Sequence, residues 1–489
     1  MQLNKSALEK INSTDIQKPD SSLFDLPERV LQFGTGVLLR GLPDYFIDKA
    51  NKQGVFNGRV VVIKSTDSSG ADAFDEQDGL FTLCVQGLEN GQQSEETIIN
   101  AAISRVLSAR SQWKEVVDCA HNPDINIIIS NTTEVGIAFV EEDIHLAPPA
   151  SFPAKLLAFL HKRYEVCGGI AEGGCVIIPT ELIVGNADKL KSILLQLSAF
   201  NNLGTDFTDW LQSANTFCNS LVDRIVPGKP AADVKEKLEK TLGYTDNLVI
   251  MCETYRLWAI EGDDRVRKIL SFDEADEGVV IAPDIEKYRE LKLRLLNGTH
   301  TLSCGLAYLS GFTFVKEGMS DKHFSSYVQD IMLKEIAPAI PANVADDEAE
   351  AFGNQVLDRF ANPFLNHQWI SITVQYTSKM KMRVIPVLLR YYHIFNIVPQ
   401  NMAKGFAAYI LFMKAVRKNG NVFEGELNGN PYPINDDKAG YLYELWQKNR
   451  ESNIVKAVLS DTSLWDTDLS TLAGFAAAVD QELFQLIKN

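Results

Sequence analysis

Short runs of β-branched residues alternate with helix-length stretches through the first half of this chain, and that alternation constrains the fold more than anything else in it. Residues 29–33, 59–63 (RVVVI), 126–130 (NIIIS) and 175–178 read as strands with no polar face. Helical patterns over 38–51, 155–166 and 187–198 separate them. A strand apolar on both sides needs cover on both sides, and strands joined through helices run parallel. The expectation is an α/β unit of Rossmann type, a doubly wound parallel sheet.

From about residue 284 the texture changes. Asp284 begins a long amphipathic pattern, and 324–336, 348–360, 384–397, 403–418, 441–449 and 469–487 also read as helices. The acidic, Gly- and Pro-containing stretch 272–283 (FDEADEGVVIAP) has the character of a boundary. Two domains are expected, a nucleotide-binding one over 1–278 and a mainly α-helical one over 279–489. A chain of 489 residues, 45% of them hydrophobic, can fill two such cores.

The net charge of −17 argues against nucleic acid or an anionic membrane as partner. Seven scattered cysteines without a C-x-x-C pair fit a reduced, cytoplasmic protein. The first twenty residues have no apolar core of a signal peptide, and no apolar run approaches eighteen residues. Seven histidines without H-E-x-x-H or a ligand-spaced cluster give no reason to expect a metal. Oligomeric state is not legible.

The first strand runs directly into Gly34-Thr35-Gly36-Val37-Leu38, with a helix to follow. Glycines there allow a tight turn and a close approach of backbone to a pyrophosphate, whose charge suits a helix N-terminus. The third glycine of the usual pattern is missing: Leu39 takes its place, and Gly41 comes two later. The second strand ends Ile63-Lys64-Ser65-Thr66-Asp67. Lys64 suits a 2′-phosphate and Asp67 a ribose hydroxyl, so NAD and NADP both stay open at this point.

A second constellation is Lys292-Leu-Arg-Leu-Leu-Asn297-Gly-Thr-His300. On a regular helix Asn297 lies about 140° round from Lys292 and His300 about 80°, so all three share one arc. A proton carrier, an amide donor and an imidazole aimed at one spot suit proton transfer at an alcohol or ketone oxygen.

With these residues the chain resembles the mannitol dehydrogenase family of long-chain polyol dehydrogenases, which share K-x-x-x-x-N-x-x-H and an N-terminal G-x-G. Further similar segments are Gln77-Asp78-Gly79-Leu80-Phe81-Thr82, Asn219-Ser220-Leu221-Val222-Asp223-Arg224-Ile225 and Arg359-Phe360-Ala361-Asn362-Pro363. The runs Ile129-Ser130-Asn131-Thr132-Thr133-Glu134-Val135-Gly136-Ile137, His367-Gln368-Trp369-Ile370-Ser371 and Ser378-Lys379-Met380-Lys381-Met382-Arg383 resemble a branch of the family that acts on keto-uronic acids.

The resemblance implies an NAD-dependent oxidoreductase with its active site between the two halves. Lys292 would be its acid/base, Asn297 and His300 its oxygen ligands, and Asn131 and Thr132 further coenzyme contacts. A lysine with a pKa near the reference value of roughly 10.4 is a poor base at neutral pH, so desolvation or neighbouring cations should lower that of Lys292. A well-aimed donor to the developing oxyanion is worth roughly 2.7–4 kcal/mol. Polyol members also carry a Cys-Asp-Asn run whose Asn holds the reacting oxygen. Here Thr180-Glu181-Leu182 stands in that place, although nearby Asn186 matches a family Asn.

Residues 361–400 contain no Asp or Glu, where the chain's average would put about five, and include Lys379, Lys381, Arg383 and Arg390. Such a segment in an acidic protein suits an anionic sugar-acid substrate; the resemblance makes Lys379 a substrate ligand, and Arg383 is the candidate beside it. The alternative is a helix lying on an acidic neighbour. Asp223 and Arg224 have two readings, as contacts to substrate hydroxyls or as pins of the domain interface. The rivals are a sister reductase or hexitol dehydrogenase and, from another class, a non-catalytic NAD-binding regulator.

Overall fold

The computed structural model describes residues 1–65, 71–133, 135–449 and 451–488. Its backbone separates into two compact units, residues 1–86 with 93–285, and residues 87–92 with 286–489.

Six strands form the main sheet of the first unit: β1 (Glu28–Phe33), β2 (Arg59–Lys64), β3 (Ile103–Ser108), β4 (Ile127–Ser130), β5 (Val176–Pro179) and β6 (Thr216–Phe217). They lie side by side in the order 3-2-1-4-5-6, every pair parallel. This is the doubly wound Rossmann order, in which the order of strands reverses between β1 and β4 and leaves a crevice beyond their carboxyl ends.

Alternate residues of each strand serve opposite cores, because side chains switch face at every step. Val30, Val60, Val62, Ile127 and Ile129 join Phe46, Ile47 and Ala50 of one helix layer. Leu31, Val61, Ile63, Ile128 and Ile177 join α3 (Phe152–Cys167) and α4 (Asn186–Phe200) on the other. Ile128 is fully buried, and truncating such a side chain to Ala typically costs about 2–5 kcal/mol.

The helix expected over 38–51 is two helices, α1 (Val37–Gly41) and α2 (Pro43–Lys52), parted at Leu42 with φ −133° and ψ −74°. Pro43 has no N–H to continue the ladder and bars the residue before it from helical angles.

Within the second unit, α5 (Thr299–Leu309) packs against α6 (Gln400–Phe412), and α6 also against α7 (Phe475–Lys488). Gly405 makes the first contact possible, since a Cβ there would stand 2.9 Å from Leu302. The helix expected to run to residue 418 stops at Phe412. After it comes a three-stranded antiparallel sheet of Arg417–Asn419, Val422–Leu427 and Asn430–Pro433. Among the described residues no helix is long and apolar enough to cross a membrane.

Candidate active site

The glycine turn sits at the carboxyl end of β1. Gly34 has φ +128°, and a Cβ on it would meet Leu39 Cδ1 at 2.9 Å and the Asn131 carbonyl oxygen at 3.1 Å. No other residue fits there. Its N–H donates to the Ile63 carbonyl at 3.0 Å, while the Asn131 N–H donates to the Phe33 carbonyl at 3.2 Å. The ends of β1, β2 and β4 are thereby tied together. Gly36 is different: a Cβ there would meet nothing within 4 Å, so open space lies over Gly36.

Thr35 and Leu38 lie in the same turn. Asp44, fully buried on α2, accepts from Gln32 Nε2 at 3.3 Å, and that amide also reaches the Gly34 carbonyl at 3.4 Å. Burial pushes the Asp44 carboxyl up to about 7, against the opposing pull of the Gln32 hydrogen bond and the Arg40 charge.

Glu181 has a definite task in this structure. Its carboxylate accepts from the Thr132 N–H at 2.8 Å, the Thr132 hydroxyl at 3.1 Å and the Ser130 hydroxyl at 3.2 Å, and the residue is 3% exposed. Asn131 Nδ2 donates to Thr180 Oγ1 at 2.9 Å. The loop carrying Asn131 and Thr132 is therefore held from the end of β5. Leu182, next in line, is exposed.

Asn186 spends its amide within the unit. Nδ2 donates to the carbonyls of Pro179, Glu181 and Ser220, and Oδ1 accepts from the Ser220 N–H. Arg224 ties together backbone inside the first unit, donating to the carbonyls of Gly41 at 2.7 Å and Glu253 at 2.9 Å. Asp223 ends the strand Ser220–Asp223 and is buried. Lys64 is buried at the end of β2, and Thr66 and Asp67 lie outside the described residues.

In the second unit the lysine motif is not on a regular α-helix. Lys292–Gly298 is a π-helical turn, continued by α5. Bonding from i to i+5 widens the turn, so five residues make little more than one revolution and Asn297 comes nearly into line with Lys292. The 140° separation expected from α geometry is thereby corrected to a tighter arc. Lys292 and Asn297 are half-buried, and the Asn297 amide makes no hydrogen bond among the described residues.

His300 follows on α5, 8% exposed. Its ring stacks on Phe360 at 3.9 Å and meets His367 and Trp369 edge-on at 5.3 and 5.9 Å. Its Nε2 is buried without a hydrogen-bond partner. Burial, and then the nearby charges of His367, Arg359, Arg383 and Lys379, hold the imidazole well below its usual pKa. This favours the neutral ring, the form that can donate to an oxygen without carrying charge.

Lys379 and Arg383 flank and enter a second π turn, Met380–Val384. The two wide turns hold each other. Arg294, in a buried ion pair with Glu290 at 2.8 Å, donates to the carbonyls of Met382 at 2.7 Å and Arg383 at 3.0 Å. Arg383 Nη1 in return donates at 3.1 Å to Thr301 Oγ1, which donates to the Asn297 carbonyl at 2.7 Å. Lys379 Nζ donates to the Ile372 carbonyl at 2.9 Å, and Lys381 pairs with Asp466 at 2.7 Å. Of the cationic segment, Lys381 thus meets an acidic neighbour while Lys379 and Arg383 stand near His300. Sequence reasoning did not single out Glu290, Arg294, Thr301 or His367. Arg294 lies inside the motif, but only the partner turn reveals its task.

Comparison with known proteins adds the following. The family model of the mannitol dehydrogenase Rossmann domain matches residues 28–273, and that of the mannitol dehydrogenase C-terminal domain residues 284–487. Altronate oxidoreductase of Halalkalibacterium halodurans is 38% identical over 455 residues, 91% of this chain and 88% of that one. Its namesake in Yersinia enterocolitica is 36% identical over 473 residues, 95% of each chain. Among solved structures, Pseudomonas fluorescens mannitol 2-dehydrogenase in ternary complex with NAD and D-mannitol gives a TM-score of 0.68 at 23% identity, covering 100% of this chain and 97% of that one. Substrate-free D-sorbitol dehydrogenase gives 0.77 at 18% identity, covering 100% and 98%.

Proposed function

This chain belongs to the mannitol dehydrogenase family, an oxidoreductase acting on a CH–OH group, and we propose that it reduces D-tagaturonate to D-altronate, reversibly, with NADH. The observation that carries the reading is a pair of unspent donors on successive turns, the Asn297 amide and the buried Nε2 of His300, with the Lys292 ammonium on the same stretch.

A nicotinamide coenzyme fits the first unit. The open space over Gly36 and the Rossmann crossover at Gly34 and Asn131 suit a pyrophosphate drawn against backbone N–H groups. Gly34, Thr35, Gly36, Val37, Leu38, Asn131 and Thr132 would hold it. When bound, the coenzyme supplies the hydride.

The remaining chemistry belongs to side chains of the second unit. Lys292 gives its proton to the carbonyl oxygen in the reductive direction and takes it back in the oxidative one. Asn297 and His300 donate to that oxygen as it gains charge, and fixed donors in a water-poor site need no rearrangement at that moment. Lys379 and Arg383 make the surroundings of His300 electropositive, which suits a carboxylate. Asp223 remains a candidate for a sugar hydroxyl. Asn186, whose amide is committed to backbone, would act only by holding its loop. The cytoplasm is the location that goes with this reading.

The test is a rate panel of D-tagaturonate, D-fructuronate and D-fructose, each with NADH and NADPH. Preference for tagaturonate with NADH is expected, and preference for uncharged fructose would sink the substrate assignment. Lys292→Ala should cut turnover by orders of magnitude while NADH still binds.

A further inference from the structure

We propose that His367 is a specificity-determining residue that receives the substrate's carboxylate together with Lys379. The inference rests on the keto-uronate reading and deepens it.

His367 is presented by a rigid piece of backbone. Its carbonyl accepts from the Val315 N–H at 2.9 Å, Gln368 bridges to Phe314, and the Trp369 N–H donates to Thr313 at 3.0 Å. The Trp369 indole, fully buried beside Phe324, anchors the strip from below. The His367 imidazole itself makes no hydrogen bond among the described residues, and the residue is exposed. A polar ring fixed at its root and unspent at its tip is placed to receive something.

Its position says what. The ring stands edge-on to His300 with centroids 5.3 Å apart. In a hexulosonate with a ketone at the second carbon and a carboxylate at the far end, four C–C bonds separate the two groups, about 5 Å along a zigzag chain. With the reacting oxygen on His300, the carboxylate comes within reach of His367. Lys379 lies close enough to act electrostatically on both imidazoles, and Arg359 and Arg383 act on His300 as well. His367 then supplies a directed N–H donor and Lys379 the charge, a combination suited to an anion and of little use to an uncharged hexitol end.

The experiment pairs kinetics with binding. His367→Phe keeps the ring and its packing on His300 but removes both nitrogens, whereas His367→Gln restores a donor. For the keto-uronate, the Phe variant should raise KM tenfold or more while kcat stays within about threefold, and the Gln variant should recover part of the loss. By calorimetry with coenzyme present, altronate affinity should fall at least tenfold in the Phe variant, while that of altritol, the uncharged hexitol, should change less than threefold. Equal losses for the two ligands, or a kcat collapse without a KM rise, would assign His367 to packing on His300 and overturn the proposal, as would no change at all. If the wild-type protein turned over no keto-uronate, the functional reading would fail by itself, and the altronate–altritol comparison would still decide the role of His367.

Discussion

The guanidinium of Arg294 lies 2.7 Å from the carbonyl oxygen of Met382, so an arginine on one π turn satisfies backbone that the other π turn leaves open. In an α ladder the Met382 carbonyl would take the N–H of residue 386, but that residue is Pro386 and has none, so the carbonyl needs another donor. Within the interior Arg294 is paired with Glu290, which accepts from it at 2.8 and 3.2 Å.

Arg294→Met should therefore be among the costly single changes, since it strands the Glu290 carboxylate and uncovers two carbonyls. A loss of about 3–5 kcal/mol is expected by urea denaturation. The double variant Glu290→Met/Arg294→Met should cost less than Arg294→Met alone, because no buried charge is left over. Turnover should stay at least tenfold down in both, since neither restores the cap on Met382. Recovery of wild-type turnover in the double variant would show that the ion pair, and not the cap, matters to the site.

The two glycines of the nucleotide turn should separate fold from ligand. Gly34→Ala places a methyl 2.9 Å from Leu39 and 3.1 Å from the Asn131 carbonyl at a positive φ, and should destabilise the protein by more than about 1 kcal/mol. Gly36→Ala meets nothing, at the ordinary φ of −59°. It should leave the melting temperature unchanged and weaken NADH binding tenfold or more by fluorescence titration. Unaltered NADH affinity would mean that the coenzyme does not lie over Gly36.

Glu181→Ala removes the acceptor shared by Thr132 and Ser130. Leaving such donors unsatisfied costs about 1–3 kcal/mol, part of which should appear as a rise of several-fold or more in the NADH dissociation constant. Full affinity in a stably folded variant would relieve Glu181 of any part in holding the coenzyme loop.

Asp44 gives a pH signature. Its folded pKa near 7 exceeds the usual carboxylate value of 3.8, so the folded protein holds that proton more tightly than the unfolded chain. This contribution is fully present below about pH 4 and is lost as pH rises through 7. Asp44→Asn keeps the shape and removes the titration. Between pH 4 and 7 the variant should gain on the wild type by up to about 1.4 kcal/mol per pH unit. Parallel stability–pH curves would place the ionisation elsewhere, with Arg40 and Asp48 the nearest charged neighbours.

Much of the sheet could be read from sequence because its strands are buried on both faces, and a run such as Ile127-Ile128-Ile129 has few other uses. The antiparallel pieces escaped, although they carried a plain signal. Asn90-Gly91 and Asn428-Gly429 both take positive φ, as two-residue hairpin turns require. They join Phe81–Glu89 to Gln92–Asn100 and Val422–Leu427 to Asn430–Pro433. The break at Leu42 was announced by Pro43. The π turns carried only indirect marks, Asn297-Gly298 inside the first and Pro386 just after the second, neither of which specifies i→i+5 bonding. Motif spacing could point to Lys292, Asn297 and His300, but not to Arg294, whose partners lie nearly ninety residues on.

The wide turn also changes what the distance between Lys292 and Asn297 means. On an ordinary helix, neighbours along one face stand three or four apart; here a spacing of five does that work, so the motif counts one residue more than α periodicity allows. Excising a single residue between them would let the segment relax into an unbroken α ladder, with every hydrogen bond intact. In that ladder lysine, amide and imidazole would stand at i, i+4 and i+7 and still share one face. The wide turn thus absorbs the surplus residue without taking lysine, amide and imidazole out of step with one another.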